Sequence, residues 1–142
     1  TFTWDFGPNA NIATSAGQTV NNVSFSTPGP QTVTVSAEIG LCQGDSTGEV
    51  FVLPSPTAVI NLPTNIECEG LSVAFGNGST NATNYSWDFG DGIGTSSAFD
   101  STYNYSNAGT YTVMLEVWST PLCVDQVQET ITLNELLFVD FV

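Results

Sequence analysis

Asp88 and Asp91 lie close together in the string Trp87-Asp88-Phe89-Gly90-Asp91-Gly92, and residues of these types at this spacing have two possible uses. Carboxylates interleaved with backbone carbonyls suit a hard cation such as calcium, which takes oxygen ligands. The same residues suit a tight turn, in which each Asp accepts a bond from the backbone just ahead of it and the glycines supply positive φ. The turn is the stronger reading, and Asp88 and Asp91 stay as the candidate calcium ligands, with no other metal or cofactor expected. Catalysis has less to work with. The chain has no Lys, Arg or His, so no side chain titrates near neutrality at its ordinary pKa. A hydroxyl or thiol nucleophile lacks its usual base. A carboxylate pair for glycoside hydrolysis is the remaining arrangement, and an enzyme is not expected.

The missing bases exclude other function classes. Asp and Glu total 14 and the net charge is −14 in 142 residues. Binding nucleic acid through its phosphates, and attraction to anionic lipid, both require cationic side chains. Ion pairs between side chains cannot form within the chain, so packing, backbone ladders and covalent staples must hold it together. Copies of the chain repel one another, and salt relieves that repulsion. No leader and no apolar run long enough to span a membrane is visible. With further chain expected at both ends, this says nothing about targeting. No direct membrane insertion is expected.

The elements that must position these residues come in two copies. Trp-Asp-Phe-Gly occurs at Trp4–Gly7 and again at Trp87–Gly90. Each copy is followed by a Thr-Val alternation (Val33, Val35; Val113, Leu115), then Leu-Cys (Cys42; Cys123), then a second alternating run. A period of roughly 80 residues fits a small β-sandwich and is too long for a solenoid unit. Tyr111, Val113, Leu115 and Val117 share one strand face, as do Val73 and Phe75, and Trp118 falls on the outward phase. Gly- and Asn-rich breaks separate short strands, and nowhere is there helical periodicity, so the chain is all-β with antiparallel sandwich repeats. The expected organisation is 1–53, the C-terminal part of a degenerate domain; 54–56, a stiff proline linker; 57–134, a complete domain; and 135–142, the first strand of a following one. In a sandwich the two ends near Cys68 and Cys123 can meet, making them the natural disulfide. Closing roughly 55 residues would stabilise the domain by about 4 kcal/mol. Cys42, equivalent to Cys123, would find no partner within this sequence. The alternative is three unpaired thiols.

Tyr85-Ser86-Trp87-Asp88-Phe89-Gly90-Asp91-Gly92, followed by Tyr103, Tyr105 and Ala108-Gly109-Thr110-Tyr111-Thr112-Val113, resembles a PKD (polycystic kidney disease) domain. That resemblance implies an Ig-like sandwich with Trp87, Phe89 and Tyr111 as its core hallmarks. Some such domains hold calcium, though not as a rule through this hairpin. The first unit looks like a degenerate relative, with Phe25 and Gln31 where the second has tyrosines. The cysteine placement resembles tandem arrays in secreted surface proteins and gliding or attachment adhesins of Bacteroidota. Asp45-Ser46-Thr47 and Asp100-Ser101-Thr102 are similar to the O-glycosylation acceptor of those bacteria, which makes Ser46 and Ser101 candidates. The resemblance implies a structural or adhesive stalk on a secreted or cell-surface protein. Its partners would be the neighbouring domains of the same chain and, beyond them, an extracellular polysaccharide or surface. An accessory module of a secreted hydrolase and a self-assembling extracellular filament are the alternatives.

Overall fold

The computed structural model describes residues 1–64 and 71–134. The chain separates into two compact units, Thr1–Pro54 and Ser55–Val142. Every regular element among the described residues is a β-strand, and all pairings are antiparallel.

The second unit is built from β5 (Ile60–Asn61), β6 (Ser72–Asn77), β7 (Asn84–Asp88), β8 (Thr95–Ser96), β9 (Ser101–Asn104), β10 (Gly109–Thr120) and β11 (Cys123–Leu133). One sheet runs β11-β10-β7-β8 and the other β5-β6-β9. Alternation decides which residues meet. Val113, Leu115 and Val117 are all sealed at 0% exposure. On β6, Val73 and Phe75 are buried while Ser72 and Ala74 face out. Phe75 reaches across to Trp87 and Phe89, with ring centroids 5.9 and 5.3 Å apart. Trp87 has 0% exposure, and its indole N–H donates to the carbonyl of Ala98 at 3.0 Å. A tryptophan can lie this deep only with its one polar atom satisfied.

The β10–β11 hairpin turns through Pro121-Leu122, with Thr120 opposite Cys123 and a register shift between Trp118 and Thr120. Proline cannot adopt the positive φ that two-residue hairpin turns favour. The extra residue, Ser119, supplies local twist by bulging.

The first unit is a single four-stranded sheet of β1 (Phe2–Asp5), β2 (Thr14–Ala16), β3 (Gly29–Ile39) and β4 (Cys42–Val52), in the order β2-β1-β3-β4. It repeats the β8-β7-β10-β11 sheet strand for strand. Trp4 pairs with Val35 and Ser15, as Trp87 pairs with Leu115 and Ser96. Here the long hairpin turns through Gly40-Leu41 with φ +64° at Gly40, so the turn needs no bulge and Ile39 stands opposite Cys42. β4 and β11 are edge strands, each 11 residues long.

Trp87→Ala is expected to destabilise the second unit by about 3–5 kcal/mol, read from urea unfolding followed by circular dichroism. Gly90 and Gly92 offer a paired test, since both have positive φ. A Cβ at Gly90 would overlap the Thr112 backbone, whereas one at Gly92 meets nothing within 4 Å. Gly92→Ala should cost about 1–2 kcal/mol, and Gly90→Ala clearly more.

Candidate functional site

The chemistry-bearing residues of the second unit gather at the hairpin after β7. Asp88 accepts a bond from the Gly90 amide at 2.9 Å, a turn closed by a side chain. Asp91 does more. One of its oxygens accepts from the amides of Ile93 (3.0 Å) and Gly94 (2.8 Å), and the other accepts from the Tyr103 hydroxyl at 2.5 Å. Gly94 must be glycine, because a Cβ there would run into the Tyr103 ring. The sequence pointed to calcium or a turn, and the structure places both carboxylates on protein donors that shape the turn. Among the described residues no cluster of three or more His, Cys, Asp or Glu could hold a metal.

Tyr103 links the turn to the core. Its ring stacks on Phe89 at 4.2 Å and 7°, and meets Tyr105 edge-on at 4.9 Å. Tyr105 in turn stacks on Tyr111 at 4.2 Å. Each phenol has its own acceptor: Tyr105 donates to the Phe89 carbonyl at 2.9 Å and Tyr111 to the Asn107 carbonyl at 2.8 Å. The result is a continuous ladder of rings whose polar tips all tie into backbone or Asp91.

The Tyr103 hydrogen bond, followed by the Gly94 amide, holds the Asp91 carboxyl below its ordinary 3.8. The same bond raises Tyr103 above its ordinary 10.0. Burial pushes Tyr105 up as well.

Other expected site residues fall apart from this cluster. Phe89 is buried at 1% exposure and Tyr111 half-buried. Ser46 lies exposed on β4. Ser101 is half-buried on β9 opposite Phe75, and the neighbouring Asp100 accepts from the Asn77 amide at 2.8 Å. Cys42 is exposed and Cys123 half-buried. Cys68 lies outside the described residues, and with it the expected Cys68–Cys123 bond. Residues 135–142, expected to begin a following domain, lie outside them too. Trp118 is half-buried on the outward phase of β10, between Asn84 and Val124. The sequence did not suggest Asp125 as a structural residue, yet its carboxylate accepts the Ala58 amide at 2.8 Å, across 67 positions.

The first unit repeats the local bonds. Asp5 accepts from the Gly7 amide at 2.8 Å, and the Trp4 indole donates to the Gly17 carbonyl at 2.9 Å. Trp4 and Phe6 stack at 6.0 Å and 2°, against 6.3 Å and 9° for Trp87 and Phe89. Gln31, where the second unit has Tyr111, donates to the carbonyl of Thr27, four residues back, as Tyr111 does to Asn107. An amide thus replaces a phenol at the same job.

The Asp91–Tyr103 bond contributes to the pH behaviour of the second unit at both ends of the scale. A carboxyl held low contributes stability above its ordinary pKa, and the contribution is lost as pH falls through the folded value. A phenol held high contributes below its ordinary pKa, and that is lost as pH rises through the folded value. The melting temperature should therefore decline below about pH 4 and again above about pH 10. Tyr103→Phe and Asp91→Asn should each lower the plateau and flatten both limbs, with part of the alkaline one remaining because burial also raises Tyr105. Thermal melts from pH 2 to 11 check this.

Comparison with known proteins agrees with the geometry. Residues 54–133 match the family profile of the PKD domain. The PKD1 domain of Vibrio anguillarum Epp is 31% identical, with 58% of this chain and 98% of that domain covered and a TM-score of 0.50. The PKD1 domain of the Vibrio cholerae metalloprotease PrtV is 35% identical, with 57% and 99% covered and a TM-score of 0.49. A comparison with curated proteins gives no match. The matched span holds both sheets of the sandwich, the buried Trp87 and the Asp-Gly hairpin, and the chain belongs to the PKD-domain family.

Proposed function

We propose that this chain is a stretch of tandem PKD-type repeats serving as a structural, adhesive stalk in a secreted or cell-surface protein. One observation carries the reading: the sheet of the first unit matches the β8-β7-β10-β11 sheet in strand order, register, Asp-Gly turn and indole bond. A repeat suits a role that needs length. Pro54 and Pro56 stiffen the connection between units, and acidic surfaces keep neighbouring stalks from clumping. The carboxylates at the hairpin shape its turn, which supports the spacer reading. Its partners are then the adjoining domains of the same chain.

Deleting one whole repeat of roughly 80 residues from the parent protein should shorten its reach and leave the activity of its tip intact. Reach is measured by electron microscopy and tip activity by surface attachment. The spacer reading falls if this chain binds polysaccharide or collagen at micromolar strength and loses that binding with Trp118→Ala, because Trp118 then serves to bind a ligand. An accessory role beside a hydrolase would take its place.

The staple is tested separately. With no Lys or Arg the chain resists trypsin, so a non-reduced digest at acidic residues is the way to map it. The expected result is a Cys68–Cys123 crosslink, with Cys42 joined to neither.

A further inference from the structure

Two matching sheets differ in what covers them. In the second unit Trp87, Val113, Leu115 and Val117 are sealed at 0% exposure because β5, β6 and β9 lie across them. Their counterparts in the first unit, Trp4, Val33, Val35 and Ala37, are only half-buried. A cavity of about 480 Å³ opens there, lined by Trp4, Phe6, Val33 and Val35, with Val20 and Phe25 from the segment after β2. That segment occupies the place of β9 in chain order. In the second unit β9 pairs with β6 over Ser72–Phe75, while in the first unit residue 25 makes only an isolated bridge to Ala10.

We propose that this open face is the seat of two β-strands, like β5 and β6, supplied by the stretch of the same polypeptide that precedes β1. The inference rests on the tandem-repeat reading. The cavity defines the chemistry of its occupant. It needs a strand with apolar side chains at alternate positions, one of them an aromatic ring placed as Phe75 is, 5.9 Å from Trp87 and 5.3 Å from Phe89. The stacked Trp4–Phe6 pair already presents the receiving surface. Chain order favours the same polypeptide, because in the second unit β5 and β6 come directly before β7. A tethered strand also meets the face at a high effective concentration. A second copy is the poorer occupant: each chain carries a net charge of −14, and two would have to approach against that repulsion.

The test compares Val35→Cys in the 142-residue chain and in the parent polypeptide, labelled with a maleimide and mapped by mass. In the 142-residue chain the half-buried position 35 should label readily, if more slowly than the exposed Cys42. In the parent it should label at least about 100-fold more slowly, the protection expected of a closed core. Hydrogen exchange of β1 and β3 in the two unsubstituted proteins gives the same comparison if the variant folds poorly. Equal labelling in both, with an intact PKD-type sandwich upstream, overturns the inference and leaves the repeat reading standing. Equal labelling with an unrelated fold upstream overturns both. Protection that appears in the 142-residue chain as its concentration rises, together with a dimer in sedimentation, assigns the face to a second copy and overturns the proposed source.

Discussion

A chain without a single cationic side chain must find other partners for its carboxylates, and here that partner is the backbone. Asp5, Asp88, Asp91, Asp100 and Asp125 each accept at least one main-chain N–H. Bonds to an ionised acceptor are about twice as strong as neutral ones, so each acid becomes a local fastener. The placement is systematic. Asp5 and Asp88 close the turns after matching strands. Asp91 organises the hairpin, Asp100 fastens the start of β9 to the end of β6, and Asp125 draws Ala58 onto β11. Where other small domains use surface ion pairs, which contribute little, this one uses acids to fix the path of the chain.

The aromatic ladder depends on that path. Tyr103 stacks on Phe89 while Asp91 accepts its hydroxyl and Gly94 leaves room for its ring. Tyr105 then bonds the carbonyl of Phe89, and its ring supports Tyr111. The first unit shows which parts of this arrangement can vary. The tryptophan, its indole bond and the Asp-Gly turn occur in both units, while Gln31 stands where the second unit has Tyr111 and bonds the carbonyl four residues back. The two units share the bond at that position and differ in the ring.

Local signals carried most of the fold. The doubled Trp-Asp-Phe-Gly string, the alternation around Val113 and Val33, and the glycine-rich turn each follow from neighbours in sequence, and each matches an element of the structure. Partner choice was less legible. Asp91 sits 12 positions from Tyr103, and Asp125 sits 67 from Ala58. Nothing in the spacing of these residues announces the pairing, because only the closed sandwich brings them together. The short strand β8, two residues long, was also invisible, since a pair of residues carries no period. At the hairpin, sequence favoured the turn and kept Asp88 and Asp91 as calcium candidates. Three donors surround Asp91 in the structure, two from the turn itself and one from β9, and only the last depends on the closed sandwich.

The long edge strands β4 and β11 have a consequence for how copies of this protein coexist. An open edge of 11 residues invites another strand, and lysine, the usual deterrent, is absent. What remains are carboxylates: Asp45 and Glu49 on one edge, Asp125 and Glu129 on the other. Such guards work only while ionised. Strong acidity strips the chain of the net charge of −14 that keeps copies apart, while the hydrogen-bonding edges remain. Dispersion in this chain is therefore a property of the medium as much as of the fold: well-separated molecules in neutral surroundings, and a tendency to associate edge to edge wherever the local environment turns acidic.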